Sequence, residues 1–175
     1  MPILDILKYP DPFLKTKAKP VSNMDDKIKK LISDMVDTMY FAKGIGLAAT
    51  QVGVDKRVAV LDVPEKEDYQ RGKNLIAIIN PEITAHEGEI KYEEGCLSVP
   101  GFTADVKRFV NVIVKALDKD GKVIEIKAQG LFAIALQHEI DHLDGLLFID
   151  RLSKLKRDII KRKIKKAIED EKKML

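Results

Sequence analysis

The apolar residues change their period along the chain, and each change marks an element. Ile28, Leu31, Ile32, Met35, Val36 and Met39 follow one another at alternating steps of three and one, the stripe of a helix packed by one face. Ser22-Asn23-Met24-Asp25 offers a capping-box-like start for that helix, which is expected to end near Gly44. Apolar runs from Arg57 to Val63 and from Leu75 to Asn80 read as strands, with Pro64 and Pro81 punctuating their ends. Val110, Val112, Val114 and Ala116 then keep a period of two, and Asp118-Lys119-Asp120-Gly121 turns the chain into a strand from Val123 to Ile126. Beyond Gly130 the wholly apolar run Leu131-Phe132-Ala133-Ile134-Ala135-Leu136 opens a helix that must be buried. Finally Leu152, Leu155, Ile159, Ile160, Ile164 and Ile168 lay an apolar stripe along an otherwise charged C-terminal helix. These patterns predict an α+β fold: mainly antiparallel sheets around a buried central helix, with an N-terminal helix and a C-terminal amphipathic one.

Composition narrows the class. With 175 residues and 45% hydrophobic content, the chain is long enough for a sizeable core and too short for two ordinary domains. The single cysteine excludes an intrachain disulfide and suits a reducing compartment. Met1 to Pro10 contains Asp5 and two prolines and lacks an apolar targeting segment, and no run is long enough to span a bilayer, so a cytoplasmic protein without membrane association is expected. Charge is uneven beneath the net total of +3: residues 151–175 hold eleven Lys or Arg against four Asp or Glu, or +7, which leaves −4 for residues 1–150. The C-terminal helix is therefore cationic on its outer face. A solvated helix packed on the body and a docking element for phosphate-rich partners are both compatible with that pattern.

Candidate chemistry concentrates in the buried helix. Gln137-His138-Glu139-Ile140-Asp141-His142 spends two of the three histidines on an HExxH pattern. A spacing of four is just over one helical turn, so His138 and His142 share a face and can reach one ion, with Glu139 beside it to handle the proton of an activated water. Such a metal wants three protein ligands and an open position. The metzincin continuation HExxHxxGxxH is not met, because Gly145 is in place but Phe148 stands where the last histidine belongs. Glu169 or Glu171 would give a thermolysin-like site, but both lie in the charged tail without an apolar pocket. Cys96 is the strong remaining candidate, a thiolate that would suit iron or zinc. A lone cysteine is also a common small core residue, and spacing alone does not join residue 96 to residue 138.

Two further segments complete a pattern. Gly44-Ile45-Gly46-Leu47-Ala48-Ala49-Thr50-Gln51 combines small residues suited to close backbone approach with an amide donor, and Glu94-Gly95-Cys96-Leu97-Ser98 frames the cysteine. Together with QHEIDH, over residues 2 to 155, these segments resemble the peptide deformylases, metal-dependent amidohydrolases that remove the formyl group from the starting methionine of new bacterial proteins. The resemblance implies Cys96, His138 and His142 as metal ligands with water in the fourth position, and Glu139 as the general base and acid. It further implies an oxyanion partnership of the Gln51 amide with the Leu97 backbone N–H, and Gly46 as a backbone rail for substrate. Ile45, Tyr92, Glu94, Leu97, Leu131, Ile134 and Ala135 match positions that line the methionine pocket. Gly101-Phe102-Thr103 replaces a more polar stretch found in some members. Fe2+ is the ion favoured in the cell, with Zn2+, Ni2+ or Co2+ possible in purified protein. Residues 1–152 would form a single catalytic domain and 153–175 a basic helical extension of it. The expected partners are nascent N-formylmethionyl polypeptides and, through the extension, ribosomal RNA near the exit tunnel. No DNA partner is expected, and a monomer is favoured over a dimer. Truncation after Ser153 is expected to spare activity and weaken ribosome binding.

Overall fold

A computed structural model describes residues 2–65 and 67–174. Met1 and Leu175, the outer ends of the two predicted spans, lie outside the described residues. The helix expected from the first apolar stripe runs from Asp26 to Phe41 (α1). Its N-cap is Asp25, whose carboxylate accepts the Ile28 N–H at 3.0 Å, so the cap sits at the last residue of the anticipated motif. Three short strands and turns follow: β1 (Gly46–Ala48), a 3-10 turn Ala49–Val52, and β2 (Val58–Asp62). Then come β3 (Leu75–Glu87), β4 (Ile90–Cys96), β5 (Val99–Arg108), β6 (Asn111–Leu117) and β7 (Val123–Gln129). The HExxH segment lies in α2 (Gly130–Leu143), and after a 3-10 turn Phe148–Arg151 the chain ends in α3 (Lys154–Met174).

Five strands form one sheet in the order β1-β2-β3-β6-β7, antiparallel throughout, while β4 and β5 pair separately as an antiparallel hairpin. Strand β2 is buried along its whole length, and the alternation of its side chains explains why. Val58 and Val60 join the cluster of Ile28, Ile32, Met35 and Met39 from α1. Ala59 and Leu61 face the other way, into the cluster of Leu136, Ile140 and Leu143 from α2. A helix on each face thus turns β2 into a near-continuous apolar run. The hairpin meets α2 through polar groups instead, and a third cluster of Leu14, Val99, Val106, Phe148, Ile149, Leu152 and Ile164 closes its far side.

Two expectations need correction. Pro81 does not end a strand: β3 continues to Glu87 across a register shift between Ile79 and Glu82. A proline lacks the ladder N–H and is tolerated where pairing is already interrupted. Asn80 takes a φ of 52° there, and its side-chain amide bonds both the N–H and the C=O of Val21. Strand β4 is not expected from the sequence, since its one buried side chain is the charged Glu94. Second, the C-terminal stripe is split. Ile160, Ile164 and Ile168 pack on the body, whereas Leu155 is 69% and Ile159 40% exposed. At about 100° per residue, positions 160, 164 and 168 stay on one line and 155 and 159 fall off it.

Candidate metal centre and its cavity

Each element delivers one part of the site. Helix α2 places His138 and His142 one turn apart, with their Nε2 atoms 3.1 Å from each other and ring planes at 73°. The end of β4 brings Cys96, whose Sγ lies 3.3 Å from His142 Nε2. The three donor atoms lie within 4.8 Å of one another, so the fold makes the join that spacing could not. Tetrahedral sites with bonds of about 2.0–2.3 Å set their ligand atoms roughly 3.3–3.8 Å apart; the 3.1 and 3.3 Å contacts lie at the short end of that frame and the third pair within 4.8 Å. The donor set is one soft sulfur and two imidazoles, which fits a late first-row divalent ion. Glu169 and Glu171, the other candidates, lie exposed on α3.

Electrostatics around the three donors also favour a cation. Burial works against charge on His138, yet hydrogen bonding to Cys96 and Glu94, with the nearby Glu139 charge, holds its pKa well above the ordinary value. His142 is driven well below, first by burial and then by the His138 and Arg108 charges. Cys96 Sγ meets the Ser98 N–H at 3.4 Å and the Gln51 side-chain amide at 3.6 Å, two donors suited to a thiolate. Among the described residues, His142 Nδ1 and Glu139 Oε1 are buried without a hydrogen-bond partner.

Glu139 is 4% exposed, and burial is the main cause that pushes its pKa up to about 7, with Glu94 and Asp141 adding to the rise and His138 and Arg108 opposing it. A carboxyl poised near neutrality can both take and return a proton. Gly46 leaves the room this carboxyl needs: a Cβ there would stand 2.4 Å from Glu139 Oε2 and 2.9 Å from its Cδ. Gly44 is similarly constrained, since its Cβ would fall 2.8 Å from Leu97 Cδ1.

A cavity of about 440 Å³ opens over these groups. Its lining includes Ile45, Gly46, Tyr92, Glu94, Leu97, Leu131, Ile134 and Ala135, together with Gln51, Cys96, His138, Glu139 and, at a place the sequence did not suggest, Lys43. Two of these residues hold further bonds beside their place in the lining. Gln51 is 2% exposed; its Oε1 accepts the Ala48 N–H at 2.9 Å and its amide donates to Ser98 Oγ at 3.1 Å as well as pointing at Cys96. Glu94 borders the cavity but spends both oxygens elsewhere: Oε1 lies 2.9 Å from His138 Nδ1, and Arg108 donates to Oε2 at 2.6 Å and to Oε1 at 2.8 Å. Its carboxylate fixes the ring of His138, the arrangement that commonly orients a metal-bound histidine. Those Arg108 bonds, helped by the one from His138, hold the Glu94 carboxyl below its usual range although burial alone would raise it. The sequence assigns no role to Ser98, Arg108 or Asp141, because a lone serine, arginine or aspartate carries no periodic signal; the buried pairing supplies one.

The polypeptide deformylase family profile matches residues 3–158. A peptide deformylase of Thermodesulfovibrio yellowstonii is 58% identical over 165 residues, 94% of this chain and 98% of that protein. The crystal structure of a peptide deformylase from Legionella pneumophila superposes with a TM-score of 0.89 at 49% identity, covering 97% of this chain and 98% of that one. A peptide deformylase from Ehrlichia chaffeensis in complex with actinonin gives a TM-score of 0.87 at 45% identity, covering 95% and 98%. A fold of two helices around an antiparallel sheet, a Cys-His-His cluster beside a buried glutamate, and agreement along nearly the whole length lead to one conclusion: the chain belongs to the polypeptide deformylase family.

Proposed function

We propose that Cys96, His138 and His142 hold the divalent ion with which this chain carries out the hydrolysis typical of its family, the release of formate from the N-terminal formylmethionine of new polypeptides. The observation that carries the residue assignment is the convergence of those three donor atoms within 4.8 Å beside Glu139 in one cavity. When bound, the ion supplies Lewis acidity and brings the pKa of water into the neutral range. Glu139 Oε1 accepts the proton of the attacking water and returns it to the departing amine nitrogen. Charge developing on the formyl oxygen is met by the Leu97 N–H and by the Gln51 amide proton now directed at Cys96 Sγ. A lost donor of this kind typically costs on the order of 100-fold or more in rate. Gly46 offers its backbone to the substrate chain, while Ile45, Tyr92, Leu97, Leu131, Ile134 and Ala135 receive the methionine side chain. An acetyl group would add one methyl at the reacting end, a discrimination of roughly 1 to 3 kcal/mol. Actinonin, found in complex with the Ehrlichia relative, is a proposed ligand of this cavity.

Fe2+ is the proposed cellular ion, with Zn2+, Ni2+ and Co2+ as substitutes, since a thiolate with two imidazoles suits all four. A reduced iron–thiolate pair would make the enzyme oxygen-sensitive. The enzyme is proposed to work as a monomer in the cytoplasm, and among the described residues no helix is long and apolar enough to cross a membrane. Residues 1–152 are proposed as the catalytic domain and 153–175 as its extension, supported by the packing of Leu152 and Ile164 in one cluster with Leu14 and Val99. The basic face of α3 is proposed to dock on ribosomal RNA.

Formate release from formyl-Met-Ala by anaerobically purified protein tests the activity. Turnover of the formylated peptide, none of an unformylated peptide with internal bonds only, and loss on chelation are expected; internal cleavage would point to a peptidase instead. Glu139→Ala is expected to keep its metal and lose deformylation. Metal loss in that variant would move Glu139 into the ligand shell, and retained activity would remove it from the mechanism.

A further inference from the structure

Behind His138 the ion pairing does not stop at Glu94. Arg108, which donates twice to Glu94, turns its remaining nitrogen to Asp141 Oδ2 at 2.6 Å. Arg151 then closes on the same aspartate with both prongs of its fork, Nε to Oδ2 at 3.0 Å and the terminal nitrogen to Oδ1 at 2.6 Å. The result is an unbroken line from His138 Nδ1 through Glu94, Arg108 and Asp141 to Arg151. Exposure rises steeply at its outer end: the side chains of Arg108, Glu94 and Asp141 are 3%, 4% and 7% exposed, that of Arg151 47%. Arg151 is also the last residue of the 3-10 turn that launches α3, a turn anchored by the fully buried Phe148 and Ile149.

We propose that Arg151 is a positioning residue for the His138 ligand, acting through Asp141, Arg108 and Glu94 and so tying the segment that launches the C-terminal helix to the metal centre. Two carboxylates and two guanidiniums balance in this line. Without Arg151, the buried trio keeps one excess negative charge and Asp141 Oδ1 loses its donor. An unpaired buried oxygen beside an uncompensated charge is costly, and a shift of Asp141 would relieve it. Asp141 lies on α2 between the two histidines, three residues after His138 and one before His142, so its movement is carried directly into the ligand pair. Arg108, freed on that side, is drawn toward Glu94, whose other task is to hold the His138 ring. The bidentate fork matters as well as the charge, since a lysine at the same place supplies a cation but not two parallel bonds.

The inference rests on His138 being a metal ligand, and the test separates the two. Wild type, Arg151→Ala, Arg151→Lys and Arg57→Ala are loaded with Co2+, their visible spectra recorded, and cobalt release to excess EDTA timed. Arg57 serves as control because it bonds the Leu143 carbonyl and Asp144, both at 3.0 Å, at the same end of α2 without touching the line. Arg151→Ala is expected to release cobalt about 10-fold faster, the lower end of what outer partners of metal ligands contribute. Arg151→Lys should recover part of that loss, and kcat should fall with little change in KM. Arg57→Ala should lower Tm and leave release unchanged. Unchanged release in Arg151→Ala overturns the inference alone, as does equal acceleration in Arg57→Ala, which would mean that fraying of the helix end is the cause. Absence of the thiolate-to-cobalt band in wild type overturns it together with the ligand assignment.

Discussion

Gly46 shows how one atom's absence shapes the site. In the sequence it reads as a small residue suited to close backbone approach; in the structure the space a Cβ would need is taken by the Glu139 carboxyl, 2.4 Å from the ideal position. Glu139 is 4% exposed and hemmed in, so it cannot simply swing aside. Gly46→Ala is therefore expected to fold and bind metal but to displace the base by a large fraction of an ångström, at a cost of about 100-fold in kcat/KM, as a misplacement of this size typically brings. Steady-state kinetics on a formyl-Met peptide beside metal analysis would decide it; a loss below fivefold would show that the carboxyl has room to move. At this scale the sequence names the chemistry better than the connections. His138 and His142 are related by helix geometry alone, and so could be paired from spacing. Cys96 could not, because its approach to His142 depends on the end of β4, and Glu94, expected as pocket lining, also bonds His138 and Arg108.

Elements were legible where burial is one-sided or continuous, and obscure where polar groups do the packing. The stripe of α1 and the apolar run of β2 follow from what each buries, whereas the β4–β5 hairpin carries a buried ion pair that no hydrophobic period reports. A comparable polar feature sits where α1 ends. Asp62, the last residue of β2 and 2% exposed, accepts from the Tyr40 hydroxyl and from the Gly72 N–H at 2.8 Å, pinning the 63–74 connection to α1. Burial alone would raise its pKa, but the hydrogen bonds, led by that of Tyr40, bring it below the ordinary 3.8. A depressed folded-state value means that the stabilisation is complete above the unfolded pKa and vanishes as pH falls through the folded one. Asp62→Asn is accordingly expected to cost about 1.5–3 kcal/mol at neutral pH, the worth of hydrogen bonds to a charged group. That difference should shrink as the pH drops below the ordinary carboxylate value; urea melts of both proteins across the acid range measure it, and a pH-independent gap would show that the ionised form is not what the network stabilises.

For the molecule as a whole, the C-terminal helix joins stability to the proposed docking surface. Truncation after Ser153 is a poorer test than the sequence suggested, because Ile164 is 5% exposed in the cluster beneath the β4–β5 hairpin. Full burial of one such side chain is worth about 1.5–3 kcal/mol, so the shortened chain should lose Tm as well as any docking function. The opposite face gives a cleaner separation. Arg162, Lys166 and Lys173 are exposed and, at about 100° per residue, project roughly opposite Ile164. Replacing the three by Gln is expected to leave formate release from a short peptide and Tm unchanged, while weakening ribosome binding and flattening its dependence on salt. Equal affinity and an equal salt slope would remove this face from docking. By itself the sequence determined the two helices that flank the main sheet, the antiparallel class and the candidates for the reactive groups, because periodicity, turn residues and motif chemistry are local properties of the chain. Tertiary structure alone decided that Cys96 reaches His142, that Glu94 belongs to His138, and that Asp141 and Arg151 stand behind them, because those contacts bridge residues far apart in the chain or buried as charged pairs, where no local pattern records the partner.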